Sequence, residues 1–230
     1  MKEFFSQSAY LGVSISLIGY MIGDFLKRKT KLAIFNPILI AIGFCILILV
    51  ACGVDYDTYN ASAKYLAWLL TPATVCLAIP LYEQLELLKK NFIAIIAGIT
   101  SGVITSLATT LVLGLLMQLS HKEYVTLLPK SVTTAIGMGI SEELGGYVTI
   151  TVAVIVITGV LGNILAEPIC KLCKIKEPMA IGIAIGSASH ALGTAKAMEL
   201  GEVEGAMSSL SIVVSGILTV VGASIFAYFL

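Results

Sequence analysis

Apolar runs separated by short polar breaks fill almost the whole chain, at 8–26, 32–52, 64–88, 91–118, 129–146, 147–169, 178–200 and 204–230. Most approach the roughly 20 residues that a helix needs to cross a bilayer core. Four of them (32–52, 91–118, 147–169 and 204–230) are uniformly rich in Ile, Leu, Val and Ala. Gly98, Gly102, Gly159 and Gly162 recur in them at the spacing that lets helix backbones approach closely in lipid. The pattern predicts an all-α integral membrane protein of about 7–8 hydrophobic segments.

Three runs are interrupted. Segment 64–88 carries Thr71-Pro72 and then Pro80, and ends in Glu83, Glu86, Lys89 and Lys90. Segment 129–146 reads PKSVTTAIGMGISEELGG, with Gly145 and Gly146 at its end. Segment 178–200 loosens around Ser187-Ala188-Ser189-His190, with Gly193 just after. Proline removes a backbone donor and glycine weakens a helix, so Pro72, Pro80, Gly145, Gly146 and Gly193 are the expected helix breaks. Broken backbone at membrane depth survives only where protein buries it or where it lines a watery cavity.

Composition agrees with the pattern. The 230 residues are 58% hydrophobic and only 12% charged, with a mean hydropathy of +0.99. Fourteen basic and fourteen acidic side chains cancel, so no global field draws nucleic acid. Cys45, Cys52, Cys76, Cys170 and Cys173 are too scattered for a disulfide framework, and the single Cys170-x-x-Cys173 lacks further zinc ligands nearby. Neither a metal nor a cofactor is expected. Lys2-Glu3 and the Gly23-Asp24 end of the first run do not read as a cleavable leader, so 8–26 is taken as the first span.

Basic clusters at Lys27–Lys31, at Lys89-Lys90 and at Lys171, Lys174 and Lys176 should all face the cytoplasm. The loop 53–63, with Asp55 and Asp57, then lies outside. Three apolar segments separate the second and third clusters, an odd number that would put them on opposite sides. The conflict disappears if 129–146 re-enters from the outside without crossing. Segments 32–118 and 147–230 then form two halves of opposite orientation, each with a broken middle segment, after a leading span within 1–31 and with 119–146 as a re-entrant motif. Inverted repeats with matching interruptions point to a transporter binding site.

Two lysines fall among the broken segments. Lys130 neighbours Ser131, Thr133 and Thr134, and Lys196 follows Ser187, Ser189 and Thr194. A lysine at mid-membrane costs about 2.5–3.5 kcal/mol on insertion scales. A fixed cation beside hydroxyls and a broken helix N-terminus suits a small carboxylate. Either lysine could instead snorkel to the interface. His190 fits a helix–helix hydrogen bond, an anion ligand or a proton relay equally. Glu142 and Glu143 after Ser141 fit either a helix cap or ion and proton coupling.

The stretches PKSVTTAIGMGISEELGG (129–146) and GSASHALGTAKAMELGEVEGAMSSLSI (186–212) resemble the LrgB/CidB family of bacterial membrane proteins, and the resemblance spans essentially the whole chain. Family members usually carry a proline after the Thr-Thr pair, where Ala135 stands here. The resemblance implies a multi-pass protein of the bacterial cytoplasmic (inner) membrane, and it offers two functions. One is an antiholin-like regulator of murein hydrolase export and lysis, acting with a small LrgA/CidA-type membrane partner. The other, from homologues that look like plastid glycolate/glycerate carriers and from members linked to pyruvate, is a carrier of small monocarboxylates. The motif positions it carries over are Pro129, Lys130, Ser131, Thr133, Thr134, Ser141, Glu142, Gly145, Gly146, His190, Gly193, Thr194, Ala195, Glu204 and Gly205.

Together these readings favour a secondary transporter working by alternating access, with an anion held between 129–134 and 187–196. No enzyme is expected, because no nucleophile, base and orienter stand together. The expected partners are a small carboxylate, the lipid bilayer, the small membrane protein and further copies of the chain.

Overall fold

The computed structural model describes residues 10–30, 35–76 and 78–230, and every element in them is helical. Residues 8–9 and 32–34 of the first two apolar runs, together with Lys31, lie outside the described residues. The chain forms two compact units, 1–76 and 77–230.

In the first unit, α1 (Leu11–Thr30) packs on α2 (Pro37–Cys52) and α3 (Tyr56–Trp68), and α4 (Leu70–Cys76) follows. Small residues on α1 set these contacts. Gly12 lies against the Tyr59 carbonyl and donates its N–H to Ser62 Oγ at 2.8 Å, and Gly23 lies against the Pro37 backbone. Asn36 caps α2 by accepting from the amides of Ile38 and Leu39, and Gly53 ends it in the left-handed conformation. At 16 residues α2 is about 24 Å long, short of a bilayer core.

The run 64–88 is not one helix. It is divided among the end of α3, α4, α5 (Ala78–Glu83) and α6 (Leu85–Lys90). Pro72 and Pro80 each fall third in a short helix, in the first turn, where a missing N–H breaks no intrahelical bond. Each proline starts a helical piece rather than kinking a long one.

The second unit continues with α7 (Phe92–Leu116), α8 (His121–Leu127), α9 (Thr134–Glu143), α10 (Val148–Leu172), α11 (Pro178–Leu200) and α12 (Glu202–Phe226), closed by a short 3-10 turn. Among the described residues, three helices are long and apolar enough to cross a membrane: α7, α10, and α12 with its terminal turn.

The segment α11 is not one straight helix, although its length would allow a crossing. At His190 the backbone takes φ 42° and ψ −140°, and the chain reverses. A β-carbon on Gly193 would lie 2.9 Å from Ile185 Cγ2 and 3.1 Å from the Ile185 carbonyl. Eight residues in an unbroken helix would stand about 12 Å apart. Both arms pack on α12. Gly182 and Gly186 of the first arm meet Glu204 and Ser208, while Thr194 of the second arm meets Ser208 and Met198 meets Gly205. The break falls at His190, three residues before Gly193, because close packing rather than glycine's conformational freedom decides it. Gly193 is itself helical and closely packed against Ile185 of the first arm.

A second hairpin enters from the other end. The α8 segment starts at a capping box, in which the Ser120 hydroxyl and N–H donate to Glu123 Oε2 at 2.7 and 2.8 Å. Tyr124, beside Gly114, donates to the Phe226 carbonyl at 3.0 Å. Residues 128–133 form the tip, and α9 returns, with Gly137 against Ile155 and Ser141 bonded to Thr151 at 2.8 Å. Gly145, at φ 78°, makes the turn into α10, and the Tyr147 amide donates to Thr126 Oγ1 at 2.8 Å.

The Ser120 bonds hold the Glu123 carboxyl below the ordinary carboxylate range. The cap is therefore intact at neutral pH and is lost only as pH falls through that lowered value. Amide protection at residues 121–124, taken relative to intrinsic exchange at each pH, should fall only in that acidic window, and Glu123→Gln should make the protection factors pH-independent.

Candidate functional site

The two hairpin tips meet beside the middle of α7. Ser106, the fifteenth of its 25 residues, faces the 128–133 tip, and Gly102, one turn earlier, faces Ser187 of the other. Between them lies a cavity of about 510 Å³. The α7 helix lines it with Ser101, Gly102, Thr105, Ser106 and Thr109, and α10 contributes Thr158 and Gly162. Lys130 and Ser131 come from one tip, and Ala184, Ser187, Ala188 and Ser189 from the other hairpin.

Among the described residues, Lys130 is the single charged group lining this cavity. Its Nζ donates to Ser106 Oγ at 2.9 Å and to Ser131 Oγ at 3.0 Å, and those hydroxyls lie 3.1 Å apart. An ammonium has three donors, so one remains for the cavity. Among the described residues no carboxylate comes within ion-pair distance of Lys130. A half-buried cation ringed by hydroxyls and lacking a counter-charge makes a site for an anion.

The sequence-predicted residues divide sharply. Lys130, Ser131, Ser187 and Ser189 meet at the cavity, and Lys196 does not. The reversal at His190 carries Lys196 away from the tip, where its Nζ lies 3.4 Å from both Glu167 of α10 and Glu199. It is an ion-paired anchor of the second arm, joined there by Asn163 Nδ2 donating to the Leu192 carbonyl at 2.7 Å. Thr133 stands at the α9 N-cap and Thr134 in its first turn, neither lining the cavity. Thr194 is fully buried, donating to the His190 carbonyl at 3.0 Å with the Ser208 hydroxyl 2.7 Å away. It ties the hairpin to α12.

His190 is buried at the hairpin apex against Gly159, with Nε2 3.1 Å from the Ile155 carbonyl. A carbonyl only accepts, so Nε2 carries the proton and donates it. The ring pins the reversed backbone to α10. Glu142 and Glu143 are exposed at the end of α9, not at a helix start, so they cap no N-terminus, and they lie outside the cavity lining. Glutamine at 190 keeps an amide donor and removes titration. If the ring only donates to Ile155, His190→Gln should retain stability and leave the pH profile of activity unchanged, whereas His190→Ala should lose both fold and activity.

The hydroxyls of α7 were not anticipated, since 91–118 reads as an ordinary span. Ser101, Thr105 and Thr109 recur every four residues, the spacing that puts them on one helix face. That repeat was the available signal.

A hydroxyl-lined cavity between opposed helical hairpins, set among helices long and apolar enough to cross a membrane, defines a polytopic membrane protein. The chain belongs to the LrgB-like family, whose family model matches residues 16–229. It is 36% identical over 222 residues to the antiholin-like protein LrgB of Bacillus subtilis (strain 168), covering 96% of each chain. Proteins of the same name from Bacillus mycoides (strain KBAB4) and Bacillus cereus (strain B4264) are each 35% identical over 226 residues, 98% of either chain. No solved structure matches it.

Proposed function

We propose that this protein is a secondary transporter of small monocarboxylates of the pyruvate, glycolate or glycerate class, working by alternating access in the bacterial inner membrane. The observation that carries this reading is Lys130, a cation without a carboxylate partner in a hydroxyl-lined cavity at the mid-level of a membrane-crossing helix. One fixed positive charge matches one carboxylate, and the serine and threonine hydroxyls can donate to its oxygens and to a keto or hydroxyl group. The first turn of α9 and the first turn after His190 both start at the hairpin tips, and their partial positive charges add to that of Lys130. Each hairpin then gates the cavity towards the side from which it enters.

Purified protein in liposomes should take up labelled pyruvate, glycolate or glycerate saturably. Its absence with correctly inserted protein, alone and with a small LrgA/CidA-type partner, would overturn the reading. The names of the relatives favour a second one, an antiholin-like regulator of murein hydrolase export and lysis without transport. That reading predicts that a lysis phenotype persists in a variant unable to move any carboxylate.

A further inference from the structure

A second hollow of about 480 Å³ adjoins the hydroxyl cavity and shares Ser101, Gly102, Ala184 and Ser187 with it. It runs between α7 and the first arm of α11 toward their N-terminal ends. Its walls are apolar: buried Ile95 with Gly98 on α7, and Met179, Ala180 and Ile183 on the hairpin. Gly98 keeps the two helices close while leaving the groove open, since a β-carbon there would meet only Ile183, at 3.4 Å. The Glu177 carboxylate stands at the far end. From the level of Ser106 to that of Gly98 is about 12 Å along the helix axis. A three-carbon acid held at Lys130 leaves this groove unfilled.

We infer that the substrate class extends to monocarboxylates with a long aliphatic tail, such as medium-chain 2-oxo acids, with the carboxylate at Lys130 and the tail in the groove along Gly98 and Ile183. The inference rests on the transporter reading, because it takes the carboxylate end from it. Charge complementarity sets the orientation. The cation lies at one end and a carboxylate at the other, so an amphiphilic monoanion enters head first and a long diacid meets Glu177. Continuity between the groove and the polar cavity makes the tail of the same molecule its occupant.

The test uses full-length protein in liposomes, with straight-chain 2-oxo acids of increasing length up to 2-oxodecanoate, and decanedioate as diacid, competing against labelled pyruvate. Each carbon that reaches the groove should tighten inhibition about fourfold, the factor expected for burying one methylene. The diacid should compete no better than pyruvate itself. In Ala180→Phe, which fills the groove, the ratio of inhibition constants between 2-oxodecanoate and pyruvate should collapse toward one. Lys130-dependent pyruvate uptake with inhibition that stays flat or weakens as the tail grows overturns this inference and leaves the transporter reading standing. Tightening that Ala180→Phe does not alter also overturns it, since the gain would then come from elsewhere, including partition into lipid. No saturable uptake of any acid overturns both.

Discussion

Replacing Lys130 with methionine should abolish monocarboxylate uptake while leaving the protein at least as stable as before. On the proposed function the two effects have opposite signs, because the lysine would serve the ligand and not the fold. Removing one partner of a largely desolvated ion pair costs about 3–5 kcal/mol, which lowers affinity more than a hundredfold. In the unliganded protein the same ammonium has no carboxylate partner among the described residues, and a lysine at membrane depth costs about 2.5–3.5 kcal/mol. Methionine, one atom shorter, fills most of the same space and removes that cost. Ser106 and Ser131, left behind, lie 3.1 Å apart and bond each other, so no hydroxyl is orphaned. Pyruvate uptake and the thermal midpoint in detergent, measured on the same preparations, test this directly. A variant with normal uptake would remove Lys130 from the site, and one that unfolds would make it a structural residue.

The largest loss of stability is expected from Gly186→Val. A β-carbon at Gly186 would run into the Ser208 carbonyl and come within 2.8 Å of Ser208 Cα, both of them backbone atoms. Backbone cannot rotate aside, so the first arm of the hairpin must lift off α12. Overpacking of this kind costs about 1–3 kcal/mol and occasionally more. Ser187 follows at once in the chain and lines the cavity, so uptake should fall with stability. Gly139→Ala supplies the contrast. Nothing lies within 4 Å of a β-carbon there, and the exchange should be neutral or stabilise α9 by up to about 1 kcal/mol. Equal melting temperatures for Gly186→Val and the parent protein would mean that the hairpin does not pack on α12 as described.

Much of this molecule is written in its residue pattern. The runs 91–118, 147–169 and 204–230 hold the three described helices that are long and apolar enough to cross, because an unbroken apolar stretch of that length has few alternatives in a bilayer. Lys130, Ser131, Ser187 and Ser189 could be selected for the site because polar groups are costly in such a chain and are seldom kept without use. The α7 hydroxyls were overlooked, although their four-residue spacing was available, because a serine or threonine in a helix satisfies itself on its own backbone, as Thr110 does on the Ser106 carbonyl.

By itself, then, the sequence determined an all-helical membrane protein of the LrgB-like family, and it marked out a lysine and several hydroxyls in stretches that could not be ordinary spans. Tertiary structure decided which of two similar lysines faces the cavity. Residues 178–200 have the length of a span, yet the chain turns back at His190, where an unfavourable backbone conformation is held by the Ile155 carbonyl and by Gly182 and Gly186 against α12. That single reversal carries Lys196 to Glu167, on another helix, and leaves Lys130 alone with the hydroxyls. Periodicity records which residues share a face of one straight helix. It carries no information about a turn that only contacts between distant segments can hold.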